Sequence, residues 1–147
     1  MPRTKNSKPR TPNTPAHGPS EIAPGVFVGG WNDALKFEGV RFCVLDDAPE
    51  DRPTSEHVRI YDESTDRANR ANLDRLAAGV AAARKSGSPV LVFCGHGVRR
   101  SPLGAAWFLH KSEGLPLDAA YDRIRAVRPK IEHARDWIGH PDDLETA

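Results

Sequence analysis

Residues 90–93, Val-Leu-Val-Phe, are apolar at four consecutive positions, and this run constrains the fold more than any other stretch of the chain. A strand with one wet face alternates apolar and polar residues, whereas a continuous apolar run is expected of a strand covered on both faces. Other strands are legible around it. Val26–Val28 is a short apolar run stopped by Gly29 and Gly30, Arg41–Leu45 ends in Asp46, Asp47 and Pro49, and His57–Tyr61 alternates. Helical spacing lies between and after them. From Arg67 to Lys85, Leu73, Leu76, Ala77 and Val80 recur on one face, and Gly87 and Pro89 end the pattern. Ser101–Lys111 is apolar enough for a core helix. Leu117, Ala120, Tyr121, Ile124 and Val127 form a further stripe that Pro129 stops. Strand, helix, strand and then more helices predict an α/β domain: a central, mostly parallel sheet of about four to five strands flanked by helices.

Composition narrows the class. The 147 residues suit one domain, with 38% hydrophobic and 28% charged residues, as in soluble globular proteins. A net charge of +1 argues against a surface devoted to nucleic acid. No apolar stretch approaches the roughly 18–20 residues of a membrane span. The N-terminus is basic without an apolar segment behind it, unlike a secretory signal. Cys43 and Cys94, the two cysteines, make no disulfide framework. A cytoplasmic, reducing location is the expectation, and a monomer that binds no membrane. Residues 1–20 hold five prolines, Arg3, Lys5, Lys8 and Arg10, and no acidic residue. They read as a disordered basic tail. The folded domain is then expected over 21–140, with 141–147 frayed.

Ligands of such folds bind at the carboxyl ends of the strands, and the segment Phe93-Cys94-Gly95-His96-Gly97-Val98-Arg99-Arg100-Ser101-Pro102 leaves the apolar strand there and enters a helix. Gly95 and Gly97 allow a tight turn and close approach of a ligand to the backbone. Successive N–H groups of such a turn form an anion nest, and the following helix adds its positive pole. Arg100 supplies a planar fork matched to two phosphate oxygens. The same field favours a thiolate at Cys94, poised to attack a phosphate held by the nest. The bland alternative is a buried apolar cysteine; it explains neither the glycines nor the arginine pair.

Cys94-Gly95-His96-Gly97-Val98-Arg99-Arg100-Ser101 fits C-x-x-G-x-x-R-[ST] and resembles the phosphate loop of the cysteine-dependent protein phosphatases. The stretches SEIAPGVFVGGWNDA, RFCVLDDAPE and LPLDAAYDRIRAVRP resemble the opening strand and turn, the second strand and the post-loop helix of the dual-specificity branch. The likeness spans about residues 20–130. It implies a protein tyrosine phosphatase-like fold and hydrolysis of a phosphorylated protein substrate without a cofactor. Cys94 would be the nucleophile. Arg100 and the backbone of Gly95, His96, Gly97, Val98 and Arg99 would hold the phosphoryl oxygens. Ser101 would assist departure of the sulfur. The family's general acid lies about thirty residues before its cysteine. Asp62, 32 positions before Cys94, falls there, with Glu63 and Asp66 as neighbouring alternatives and a helix-capping aspartate as the bland reading.

One position departs from the pattern. The family usually carries His before its cysteine, and this chain has Phe93. A second reading is therefore a pseudophosphatase that binds phosphorylated partners without turnover. A third is an RNA 5′-triphosphatase of the same superfamily, suggested by His96-Gly97 and the basic tail; nucleic acid enters only under that reading. The remaining histidines show no metal spacing, and no metal is expected. Cys43 reads as a core cysteine, with a protective disulfide to Cys94 as the alternative if their Cα atoms approach within about 7 Å.

Overall fold

The computed structural model describes residues 18–48, 50 and 54–138. The first 17 residues of the expected tail and the expected frayed segment 141–147 lie outside the described residues. Ser20, assigned to that tail from the sequence, is the buried first residue of a strand.

Five strands make the central sheet, in the order β1 (Ser20–Ala23), β2 (Val26–Gly29), β7 (Val90–Phe93), β3 (Val40–Cys43), β4 (Glu56–His57). β1 pairs antiparallel with β2, and the other pairings are parallel. The fold is thus the α/β arrangement with a mostly parallel sheet that the sequence predicts. β7 sits in the middle, with Val28 and Phe42 on either side of Val92.

Both faces of β7 are covered. Val90 and Val92 join the large core formed with α2 (Arg70–Lys85), α3 (Arg100–Glu113) and α4 (Leu117–Val127). Leu91 and Phe93 pack in a smaller cluster with Ala34 of α1 (Trp31–Lys36), beside Phe27 and Phe37. All four β7 residues are buried, which is why no polar residue interrupts the run. α2 presents Leu73, Leu76, Ala77 and Val80 to the core, and α3 is buried along most of its length from Ser101 to Leu109. Its outer contacts include Trp107 Nε1, which donates to Asp74 Oδ1 at 2.8 Å.

Two sequence expectations change. The alternating stretch His57–Tyr61 is not one strand. Glu56–His57 forms β4, Val58 and Ile60 are buried in irregular backbone, and Tyr61–Asp62 starts a separate hairpin, β5, paired with β6 (Arg67–Ala68). Consequently the helix expected from Arg67 begins at Arg70. Asn69 caps it, its side chain accepting from the Asn72 N–H at 3.0 Å, and residues 67–68 belong to the hairpin. Beyond α4, a short 3-10 turn, Arg135–Trp137, folds back toward the start of α3.

Candidate active site

Cys94 is the first residue past β7 and is buried. Its side chain belongs to the large core, on the α3 side of the sheet. Cys43, at the end of the adjacent strand, belongs to the cluster on the α1 side. Both thiols are free. The opposed faces disfavour the protective disulfide and leave Cys43 as a core residue, its thiol pushed above its ordinary value chiefly by burial. Phe93, where the family usually has His, is fully buried among Ala34, Cys43 and Leu91. An apolar ring fits that setting.

Two N–H donors and a hydroxyl surround the Cys94 sulfur. The N–H groups of Gly97 and Ser101 point to Sγ at 3.3 and 3.4 Å, and Ser101 Oγ lies 3.2 Å away. Ser101 Oγ also lies 3.1 Å from the Gly29 carbonyl. The hydroxyl has one proton and two acceptors within reach. With a thiol at Cys94, the sulfur donates to Ser101 and Ser101 donates to Gly29; with a thiolate, the hydroxyl proton turns to the sulfur.

The loop from Gly95 to Arg99 is held from below by the turn after β2. The Trp31 N–H donates to the Gly95 carbonyl at 2.8 Å. Gly97 has φ +70, and a Cβ there would stand 2.7 Å from the Gly29 carbonyl carbon, so the turn requires glycine. On the other side, the Glu132 N–H donates to the Val98 carbonyl at 2.7 Å. His96 is exposed at the rim, while Gly95 and Val98 are partly buried. Gly95 and His96 border a hollow of about 210 Å³ with Gly30, Trp31, Asn32, Asp33 and Arg128. A larger hollow of about 710 Å³, along Gly18, Pro19 and α1, contains none of the loop residues.

Arg128 is the residue that sequence reasoning missed. It closes α4 and is only 3% exposed. Its Nε donates to the Gly97 carbonyl at 2.8 Å and its Nη2 to the His96 carbonyl at 3.3 Å. Nη1 donates to the Gly18 carbonyl at 2.7 Å and to Ser20 Oγ at 3.0 Å. With those carbonyls engaged, the intervening Gly97 N–H points to the Cys94 sulfur. Burial lowers the Arg128 pKa from its ordinary value, while Asp33 and Cys94 act in the opposite sense. A basic residue at a helix end is ordinarily read as complementing the helix dipole; spacing gives no sign that it reaches back 31 positions.

The two arginines take different directions. Arg100 Nη1 lies 3.6 Å from Asp46 Oδ1, and its guanidinium carbon lies 5.2 Å from the centre of the Tyr61 ring. Arg99, of which only the backbone is expected to hold phosphate, sends its side chain to the 3-10 turn. Its guanidinium carbon is 4.5 Å from the centre of the Trp137 ring and its Nη2 is 3.3 Å from Asp136. Trp137 in turn packs against Tyr61 in a tilted arrangement, centroids 4.5 Å apart. The backbone of Arg99 remains part of the loop.

Asp62 lies in the hairpin at the end of β5, one residue from Tyr61. Its Oδ1 accepts from the Ser64 N–H at 3.0 Å and from the Ser64 hydroxyl at 2.7 Å. These bonds, the hydroxyl's first, hold the carboxyl below its ordinary value. As placed, Asp62 shapes its own turn, so protonating a leaving group requires release from Ser64. Of the alternatives, Glu63 is exposed, and Asp66 accepts from the Tyr61 hydroxyl, which raises the phenol's pKa. Among the described residues, no group of three His, Cys, Asp or Glu side chains is placed to hold a metal ion.

This geometry has counterparts. Residues 45–140 match the family model described as dual specificity phosphatase, catalytic domain. Human dual specificity protein phosphatase 12 is 30% identical over 132 residues, covering 80% of this chain and 39% of that protein. Human dual specificity phosphatase 28 is 27% identical over 121 residues, covering 76% of this chain and 68% of that protein. The crystal structure of human DUSP28 superimposes with a TM-score of 0.71 and 25% identity over 86% of this chain and 93% of that one.

Proposed function

This chain belongs to the dual-specificity phosphatase family, and from that premise we propose that it hydrolyses phosphomonoesters on proteins, at tyrosine and at serine or threonine, through a cysteinyl-phosphate intermediate. The observation that carries the reading is the convergence on the Cys94 sulfur of the Gly97 and Ser101 N–H groups and the Ser101 hydroxyl. Donors so placed can hydrogen-bond the attacking sulfur.

In the first step the Cys94 thiolate attacks phosphorus. The S–P bond forms, the ester O–P bond breaks, and the leaving oxygen takes a proton from the Asp62 carboxyl. In the second, water attacks phosphorus and gives a proton to the Asp62 carboxylate; the S–P bond breaks, releasing inorganic phosphate. Ser101 donates to the departing sulfur, and Arg100 and the loop amides stabilise the equatorial oxygens.

A second reading, a module that binds phosphorylated partners without turnover, draws on the engagement of Asp62 by Ser64 and on Phe93 in place of histidine. Steady-state hydrolysis of p-nitrophenyl phosphate between pH 5 and 8, beside Cys94→Ser, separates the two. Turnover that vanishes in the variant supports the enzyme. A folded wild type that binds phosphotyrosine peptide and releases no p-nitrophenol supports the binding module.

A further inference from the structure

Asp46 stands at the turn after β3, outside the phosphate loop, yet its carboxylate is aimed at the loop's arginine. Asp46 Oδ1 is buried and accepts no hydrogen bond among the described residues. Its neighbours are two guanidinium groups, Arg100 Nη1 at 3.6 Å and Arg59 Nε at 4.0 Å. The Arg100 guanidinium carbon also lies 5.2 Å from the centre of the Tyr61 ring. The guanidinium thus has two partners outside the loop, a carboxylate and an aromatic ring.

We propose that Asp46 is a positioning residue that sets phosphate affinity by competing with the bound phosphate for Arg100. The inference rests on the phosphatase reading of the loop. A phosphate dianion is the stronger partner for a planar guanidinium, since two oxygens can meet the fork. Capturing it nevertheless requires Arg100 to loosen its contact with Asp46 and its place on Tyr61. Part of the attraction between Arg100 and phosphate is offset by the attraction given up, so binding is weaker than the loop geometry alone would produce. The buried orphan oxygen fits this role. A purely structural aspartate with an oxygen so buried would hold a donor at hydrogen-bond distance, whereas among the described residues Asp46 Oδ1 faces cations at ion-pair distance only. The effect is on affinity, because Arg100 reaches the same phosphate-bound pose once Asp46 is released.

The test is binding of inorganic phosphate by calorimetry to the full chain and to Asp46→Asn, an isosteric change at a partly exposed side chain. Each protein's thermal midpoint is recorded alongside. The expected result is a dissociation constant roughly three- to fivefold lower in the variant, with KM for p-nitrophenyl phosphate falling in step and kcat unchanged. A variant damaged in its packing binds more weakly, so a gain in affinity is a result that structural loss does not produce. Equal or weaker phosphate binding by Asp46→Asn, with wild-type binding intact, overturns the competition and leaves the phosphatase reading standing. Absence of phosphate binding in both proteins overturns the two together.

Discussion

Arg128 Nε donates to the Gly97 carbonyl at 2.8 Å across 31 positions of chain, so the residue that caps the end of α4 holds the middle of the loop after β7. Its other nitrogens reach His96, Gly18 and Ser20. One buried side chain therefore ties the loop to the start of the sheet. Arg128→Lys keeps the charge and loses the fork. Each carbonyl left without its donor costs about 1–3 kcal/mol, so unfolding stability should fall by about 3 kcal/mol. Displacement of the loop amides should lower kcat/KM by about 10²-fold. Urea denaturation and steady-state kinetics on the same preparation check both.

Gly97→Ala should remove phosphate binding. Its φ of +70 is unfavourable for alanine, and the new Cβ would meet Arg128 Nη2 at 2.5 Å and the backbone of Gly29 at 2.7 Å. Neither backbone nor buried guanidinium gives way without opening the loop. Gly95 is the control, since its φ is not positive and a Cβ there would meet nothing within 4 Å. Gly95→Ala should bind phosphate within about twofold of wild type. Calorimetry with inorganic phosphate distinguishes the two.

Ser101→Ala should expose the second chemical step. In the proposed mechanism the hydroxyl, 3.2 Å from Sγ, stabilises the sulfur as it departs from phosphorus. Hydrogen bonds to charged groups contribute about 1.5–3 kcal/mol, so hydrolysis of the intermediate should slow by about 10- to 100-fold. Rapid mixing with p-nitrophenyl phosphate should show a burst of p-nitrophenol, equal to the enzyme present, before the slow steady state.

Ser64→Ala should move the pH profile. The Ser64 hydroxyl is the largest cause holding the Asp62 carboxyl below its ordinary value of 3.8. Removing it raises the Asp62 pKa, so a larger fraction remains protonated at any pH above it. If Asp62 is the acid, the alkaline limb of kcat shifts to higher pH in Ser64→Ala and is lost in Asp62→Asn. A limb unmoved in both variants assigns the proton to another group. In stability the sign is opposite: a depressed carboxyl stabilises the fold above its ordinary range, and that contribution is lost as pH falls through the lowered value.

Tyr121 accepts from the Ala134 N–H at 3.0 Å, pinning the segment that leads to Trp137. Burial pushes its phenol up to about 12 from an ordinary value of 10.0. Between those values the unfolded chain binds fewer protons than the folded one, so stability should fall as pH rises above 10. Tyr121→Phe should lower stability at neutral pH by about 1–2 kcal/mol, through the buried Ala134 donor left without a partner, and should flatten the alkaline decline. Thermal unfolding from about pH 7 to 11 measures both.

The sheet and the loop were legible because their signals are local. Val90–Phe93 is apolar at every position since both its faces are covered, and Gly97 is glycine since φ is positive there. The same reasoning failed at His57–Tyr61. Alternation resembles a strand whether or not a partner strand continues, and here the chain leaves the sheet after His57 to build the β5–β6 hairpin. Residue type alone did not set side-chain direction either. Arg99 and Arg100 are adjacent and chemically identical, yet one turns to Trp137 and the other to Asp46 and Tyr61.

Sequence by itself determined the layers of the fold, the position of Cys94 at the end of the central strand and the glycine turn that follows it, because periodicity and backbone freedom are properties of neighbouring residues. Tertiary structure alone decided that Arg128 buttresses the loop, that Asp46 faces Arg100, that Ser64 engages Asp62 and that the two cysteines occupy opposite faces of the sheet. Except for the local Asp62–Ser64 turn, these relationships join residues distant in the chain, and even that turn depends on which rotamer its carboxylate adopts. Their distances are set only when the sheet closes and the helices pack, and hydrogen bonds and ion pairs depend on those distances within a fraction of an ångström.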